Sequence, residues 1–190
     1  MITLVSGGAR SGKSSFAEKY AWSKKRDDVI YLATSVIIDK EMEERVRRHR
    51  VDRPKSWETV EEAYQLSEVF SQLEDNSFVL IDCITVYISN LILEYDKEKN
   101  LDEAESEILL EIKKIINIAR DKNIDLLIVT NELGQGLVPE YKLGRVYRDI
   151  VGRVNQLIAS NANEVYLTVA GLPVELKELG MKNLARYNKE

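Results

Sequence analysis

The segment with the clearest chemical meaning is GGARSGKS at residues 7–14. It matches the pattern G-x-x-x-x-G-K-[ST] and stands between an apolar run and a helical pattern, which is the context that this pattern requires. Glycines let successive N–H groups turn inward around a phosphate, and the start of the helix adds partial positive charge. A chance match is expected in under about one per cent of chains of this length, so a turn that only connects two elements is the weaker interpretation. We predict a nucleoside triphosphate site formed by Gly7, Gly8, Ala9, Arg10, Ser11, Gly12, Lys13 and Ser14.

Two side chains of this segment and one acid elsewhere could act on the phosphates. Lys13 would reach the β- and γ-phosphates, and the Ser14 hydroxyl would complete the coordination of Mg²⁺. Asp82 ends the apolar run FVLID at 78–82, where a magnesium-supporting acid is expected. The alternative for Asp82 is to cap a helix that starts near Ile84. We favour the metal role, with Lys13 and Asp82 as candidate catalytic residues.

Polar residues also follow another apolar run. Thr130, Asn131 and Glu132 lie at the end of IDLLIVT, residues 124–130, at the edge where ligands of open α/β sheets gather. A direct ligand contact and an ordinary polar turn both remain open for these three residues.

A basic segment stands out in an otherwise acidic chain. Residues 45–53, RVRRHRVDR, contain five arginines and His49, the single histidine of the sequence. Taken alone, this segment would be a solvated helix face or an RNA-binding patch. Beside a phosphate loop, guanidiniums would neutralise a triphosphate and disfavour the imidazolium, which leaves a neutral imidazole free to attack an α-phosphate. Spacing alone does not separate this role from a histidine that only orients the substrate.

These candidate residues need a scaffold, and short β-branched runs alternate with amphipathic patterns along the chain. The runs predict buried strands of a largely parallel sheet at 2–6, 29–33, 78–82, 124–130 and 164–169. The periodic patterns predict helices at 13–24, 39–50, 61–73, 83–94, 102–121 and 141–161, with a weak helical pattern at 171–190. The alternation is typical of an α/β layered fold, and the lack of a linker or repeat predicts one domain over 1–190.

Composition narrows the class of protein. The 190 residues carry a net charge of −5 with a pI of about 5.2, which argues against a general nucleic-acid binder. No run approaches the ~18 apolar residues of a membrane span. Because the N-terminus has no export signal, we expect a cytoplasmic protein. Cys83 is the single cysteine, and we interpret it as a buried thiol without chemistry.

Four blocks of the sequence resemble a known family, the bifunctional adenosylcobinamide kinases and adenosylcobinamide-phosphate guanylyltransferases of cobalamin biosynthesis. The blocks are LVSGGARSGKSSFAE at 4–18, YLATSVIIDKEMEERVRRHRVDRPKSWETVE at 31–61, LIDCITVYISNLI at 80–92 and TNELGQGLVPEYKLGRVYRDIVGRVNQLIA at 130–159. They cover most of the chain in the family's order, and the second and fourth are far more specific than a phosphate loop.

The resemblance implies a P-loop NTPase-type α/β fold of three layers and two reactions. The first is phosphorylation, by ATP or GTP, of the hydroxyl on the aminopropanol arm of adenosylcobinamide. The second is transfer of GMP from GTP to the resulting phosphate, which gives adenosylcobinamide-GDP and pyrophosphate. A histidine takes GMP covalently in such enzymes, and the matching position here is His49.

The resemblance also implies further nucleotide contacts and an assembly. The contacts fall on Leu32, Ala33, Thr34, Arg50, Val51, Asp52, Arg53, Glu61 and Asp82. An exposed glutamate at a helix start is the alternative for Glu61. Trimers are known in the family, so the resemblance implies a homo-oligomer with a corrinoid site between subunits. A large acceptor also implies a wide site, and the loop at 131–140 is a candidate cover for it.

Overall fold

A computed structural model describes residues 1–24, 26, 28–36, 54, 56–97 and 101–187. The helix predicted at 39–50 lies outside these residues, as does the basic segment at 45–53 with its histidine.

The described residues form a seven-stranded sheet. Its strands are β1 (Ile2–Gly7), β2 (Val29–Ala33), β3 (Glu58–Glu61), β4 (Phe78–Asp82), β5 (Asp125–Asn131), β6 (Glu164–Val169) and β7 (Leu172–Glu175). Their order across the sheet is β3-β2-β4-β5-β1-β6-β7. Every pair is parallel except β6 with β7, so the carboxyl ends of β1 to β6 meet at one edge.

Helices cover both faces of this sheet. The described helices are α1 (Lys13–Ser23), α2 (Leu66–Gln72), α3 (Ile84–Lys97), α4 (Leu101–Asp121), α5 (Lys142–Asn161) and α6 (Leu176–Tyr187). In β4, Phe78 and Leu80 pack into the cluster that contains α1, whereas Val79 and Ile81 pack into the cluster that contains α3, α4 and α5. Because successive side chains of a strand point to opposite faces, the sheet lies between two helical layers, as the sequence predicted. None of the described helices has the length and apolarity that crossing a membrane would require.

The strand predictions are confirmed at 29–33, 78–82 and 164–169, and each of the other two differs from the observed strand by one residue at one or both ends. The helix predicted at 61–73 was wrong in its first turn. The helix begins at Leu66, and Glu61, the first residue of the predicted helix, is instead the last residue of β3, which pairs with β2. The sequence ETVE is short and mostly exposed, so it lacks the apolar run that marked the buried strands.

The sequence did not predict β7 either, because the tail from 171 read as weakly helical. Ala170 (φ 51°) and Gly171 (φ 81°) have left-handed conformations and form the two-residue turn of a β6–β7 hairpin. Pro173 pairs with Thr168. In such a hairpin the pair next to the turn is hydrogen-bonded and the following pair is not, so the proline nitrogen faces away from β6. The tail is helical only from Leu176.

Candidate nucleotide-binding site

The segment predicted to hold phosphates forms a loop between β1 and α1 at the carboxyl edge of the sheet. Arg10 (φ 55°) and Gly12 (φ 89°) have left-handed backbone conformations, and Ser11 N–H donates to Gly8 O at 3.3 Å. Residues 8–10 are exposed, whereas Ser11 is buried. The loop therefore presents its backbone to solvent where α1 begins, which suits an anionic phosphate.

Lys13, the first residue of α1, reaches back to this loop. Its Nζ donates a hydrogen bond to Gly8 O at 3.2 Å on the exposed side of the loop. The ammonium group is thus held beside the loop backbone, where a phosphate would meet a positive charge and N–H donors together.

Ser14 and Asp82 are brought together although 68 positions separate them in the sequence. Ser14 Oγ donates to Asp82 Oδ1 at 3.4 Å, and Tyr31 OH donates to Asp82 Oδ2 at 2.9 Å. The first backbone bonds of α3 are accepted instead by Cys83 O, from the N–H groups of Val86 and Tyr87. The carboxylate of Asp82 therefore faces the phosphate loop.

This pair of oxygen ligands fits Mg²⁺. The ion prefers hydroxyl and carboxylate oxygens, and it is commonly held by one or two protein ligands together with substrate phosphates. No cluster of three or more acidic, histidine or cysteine side chains suited to a metal occurs among the described residues. Ser14 and Asp82 would therefore hold the ion together with the nucleotide.

The β6–β7 hairpin braces the phosphate loop from the side. Ser11 Oγ lies 2.9 Å from Thr168 Oγ1 in a buried hydrogen bond, and Gly171 N–H donates to Ser11 O at 2.8 Å. A Cβ atom on Gly7 would lie 2.4 Å from both hydroxyls, and one on Gly12 would lie 3.0 Å from Gly171 Cα. Glycine is thus needed at the first and sixth loop positions because the hairpin approaches so closely.

The three residues predicted after the second strand have different surroundings. Leu32 is fully buried in the core, so only its backbone could reach a ligand. Ala33 ends β2 opposite Asp82. Thr34 is buried, and its hydroxyl donates to Cys83 O at 2.8 Å. This bond joins the residues that follow β2 and β4, next to Asp82.

Thr130 and Asn131 serve the scaffold, while Glu132 lies at the phosphate loop. Thr130 Oγ1 donates to Asn155 Oδ1 at 2.7 Å, and Asn131 Nδ2 donates to Thr85 Oγ1 at 3.1 Å. Glu132 N–H donates to the last carbonyl of β1 at 3.1 Å. The side chains of Thr130 and Asn131 therefore fit the polar-turn interpretation, because they tie β5 to α5 and α3.

Cys83 follows Asp82 and packs against Thr85, whose hydroxyl lies 3.0 Å from its sulfur. Burial raises the pKa of the Cys83 thiol, and the negative charge of Asp82 raises it further. A thiol with a raised pKa is a poor nucleophile near neutral pH.

The remaining predicted residues are not brought into the described site. Glu61 is exposed at the end of β3, one strand beyond Ala33. His49, Arg50, Val51, Asp52 and Arg53 lie outside the described residues.

Three residues of the site were missed by sequence reasoning. Tyr31 lies within an apolar strand run, and nothing in the pattern marks its hydroxyl as a partner of the acid. Thr168 sits at the end of a predicted strand, so the rule that pointed to Thr130 could have found it. The contact of Gly171 with the phosphate loop could have been predicted only if the β6–β7 hairpin had been predicted.

The family model described as cobinamide kinase / cobinamide phosphate guanyltransferase matches residues 3–176. The chain belongs to this family. The matched range includes the phosphate loop, Asp82 and the basic segment at 45–53.

Curated relatives agree with that assignment. The chain is 43% identical over 183 residues to the bifunctional adenosylcobalamin biosynthesis protein CobU of Escherichia coli strain K12, which covers 93% of this chain and 100% of the relative. It is 39% identical to the protein of the same name from Salmonella typhimurium strain LT2, with the same shares covered. Among solved structures, the RadB recombinase is similar with a TM-score of 0.50 at 15% identity, over 87% of this chain and 73% of the other. The last likeness concerns the fold alone.

Proposed function

We propose that this protein phosphorylates adenosylcobinamide and then transfers GMP from GTP to adenosylcobinamide phosphate. The observation that carries the proposal is the family match over residues 3–176. The phosphate loop, with Lys13 beside it and Asp82 facing Ser14, supports it. Both reactions act on the phosphates of a nucleotide, so one loop can serve both.

We assign His49 as the nucleophile of the guanylyl transfer. Its ring nitrogen attacks the α-phosphorus of GTP, the bond from that phosphorus to the bridging oxygen breaks, and pyrophosphate leaves while the ring gives up its proton. An oxygen of adenosylcobinamide phosphate then attacks the same phosphorus and breaks the P–N bond, which gives adenosylcobinamide-GDP. Arg50 and Arg53 would neutralise charge on the phosphates during these steps.

In the kinase reaction, the hydroxyl of the aminopropanol arm attacks the γ-phosphorus of ATP or GTP, and a nucleoside diphosphate leaves. Lys13 and the loop N–H groups stabilise the charge on the transferred group. Asp82 supports the metal or accepts the hydroxyl proton. Bound Mg²⁺, held by Ser14 and Asp82, would neutralise negative charge on the phosphate oxygens.

The same proposal includes a setting for the enzyme. The partner molecule is the corrinoid acceptor, and the nucleotides are GTP for guanylyl transfer and ATP or GTP for phosphorylation. We place the enzyme in the cytoplasm as a homo-oligomer, with a trimer as the expected assembly, and with residues 1–190 acting as one catalytic domain. Light scattering on the purified protein would give the mass of the assembly.

The deciding experiment uses GTP labelled at the α-phosphate, with Mg²⁺ and no acceptor. Wild-type protein should retain acid-labile label after denaturation, as a phosphoramidate would, and His49→Ala should retain none. Adding adenosylcobinamide phosphate should then discharge the label into adenosylcobinamide-GDP. If GTP binds but no label is retained, His49 has no covalent role, and a simple kinase or a nucleotide-driven switch becomes the better interpretation.

A further inference from the structure

The loop between β5 and α5, residues 132–141, is held in a defined shape. Gly134 N–H donates to Glu132 Oε1 at 2.7 Å. At the other end, Arg145 Nη1 donates to Pro139 O at 3.1 Å and to Glu140 O at 2.6 Å. The Glu132 side chain thus holds the start of the loop, and the Arg145 side chain, in the first turn of α5, holds its end.

Despite these anchors, the loop turns large apolar side chains toward solvent. Leu137 is 97% exposed, Val138 is 63% exposed and Tyr141 is 68% exposed. The stretch LGQGLVP at 133–139 has no charged residue, in a chain whose residues are 31% charged. An exposed apolar patch on an anchored loop indicates a binding surface.

The loop begins beside the phosphate loop. β5 lies between β1 and β4, the strands that carry the phosphate loop and Asp82. Asn131 is in register with Gly7, and the next residue, Glu132, donates its N–H to Gly7 O at 3.1 Å. The loop that carries the three apolar side chains thus begins at the centre of the sheet edge where the phosphate loop and Asp82 lie.

We propose that Leu137, Val138 and Tyr141 bind the corrin ring of the acceptor, an inference that rests on the function proposed above. The aminopropanol arm is joined to the ring, so the ring must lie within the arm's length of the phosphates when the arm reacts. The edge of a corrin ring carries methyl groups and uncharged amides. The uncharged stretch at 133–139, with its exposed apolar side chains, matches that chemistry, whereas it offers nothing to the charged phosphates of a nucleotide.

The test is a double variant, Leu137→Ser with Val138→Ser, compared with wild type and with Met181→Ser. Met181, on α6, is 71% exposed and serves as the matched control. Such exposed positions leave stability nearly unchanged. We expect the KM for adenosylcobinamide phosphate to rise about tenfold or more in the double variant, on the scale of two apolar contacts. The KM for GTP and the acceptor-independent labelling of the protein by GTP should stay at the wild-type level, and the control should match wild type throughout.

Each other outcome overturns the inference in its own way. An unchanged KM for the corrinoid removes the loop from the acceptor site while leaving the proposed function intact. If the double variant forms a smaller assembly and loses labelling as well as transfer, the apolar side chains of the loop are a contact between copies of the chain. If the wild-type protein itself labels with GTP but never transfers to the corrinoid, the proposed function fails and takes this inference with it.

Discussion

Asp82 is shared between two hydroxyls that come from different elements. Ser14 approaches from α1 and Tyr31 from β2, and each takes a different carboxylate oxygen. Tyr31 is buried, so it fixes one oxygen and leaves the other directed at the phosphate loop. The Ser14 hydroxyl is therefore the group that a bound metal ion would have to engage.

Replacing Ser14 with alanine should raise the Mg²⁺ concentration that half-saturates either reaction, by about tenfold, since one oxygen ligand is lost. Ser15→Ala is the matched control, because the neighbouring serine is exposed and lies outside the pair. The measurement is initial rate against Mg²⁺ at saturating GTP. Equal metal requirements in the two variants would remove Ser14 from the metal site.

Thr168 should affect nucleotide binding although it does not reach the phosphate side of the loop. Its buried hydroxyl contacts Ser11 Oγ at 2.9 Å and Ser6 O at 3.1 Å, so Thr168→Val leaves polar groups unsatisfied. We expect Thr168→Val to lower the free energy of unfolding by about 1–3 kcal/mol and to raise the KM for GTP. Both quantities are measured at the same pH for wild type and variant. Thr168→Ser keeps the hydroxyl and should restore both, whereas equal losses in the two variants would point to packing instead.

At the residue scale, the sequence pointed to the residues that belong to a known phosphate-binding pattern. The glycines, Lys13 and Ser14 match that pattern, so they could be predicted without a structure. Tyr31 and Thr168 support that loop from distant strands, and their contacts depend on the order of strands in the sheet. Residue types alone carry no record of that order.

Among the elements, α2 depends on a single acid from another helix. Glu111, on α4, accepts hydrogen bonds from Ser67 N–H at 3.0 Å and Ser67 Oγ at 2.9 Å. The buried Tyr87, on α3, donates to the same carboxylate at 3.1 Å. Burial raises the pKa of the Tyr87 phenol, and the negative charge of Glu111 adds to the effect. One carboxylate thus joins three helices.

Glu111→Ala should lower the free energy of unfolding by about 1–3 kcal/mol, because it removes the acceptor of the part-buried Ser67 N–H and hydroxyl. Glu107 lies one turn earlier on α4 and is exposed, so Glu107→Ala is the control and should change stability by less than about 0.5 kcal/mol. Urea unfolding followed by circular dichroism gives both values. The idea fails if the two variants unfold at the same urea concentration.

The elements that the sequence predicted well are those buried on both faces or along a full stripe. β2 and β4 are apolar runs, and α4 carries a regular isoleucine stripe, so the burial of these side chains is visible in the sequence. β3 and β7 lie at the two ends of the sheet and have four residues each. Such short edge strands are stabilised by pairing with a neighbouring strand, and the local sequence does not reveal that pairing.

For the whole molecule, the phosphate site joins several strand ends, so a bound nucleotide should stabilise the fold. A ligand present at about 100 times its Kd adds about 2.7 kcal/mol, which corresponds to a rise in Tm of about 5–10 °C for a chain of this size. Lys13→Ala should abolish most of this rise while unfolding at nearly the wild-type temperature without nucleotide. Calorimetry with and without GTP and Mg²⁺ checks both, and an equal rise in the variant would contradict the proposed contact.

The hairpin that braces the phosphate loop also bears on how the protein behaves in a crowded cell. An edge strand ordinarily offers a row of unpaired N–H groups on which another chain can build. In β7 the outward-facing position next to the turn is Pro173, which has no N–H to offer. This short edge therefore lacks one of its outward N–H donors, which disfavours the addition of another chain as a strand at the side of the sheet that braces the phosphate loop.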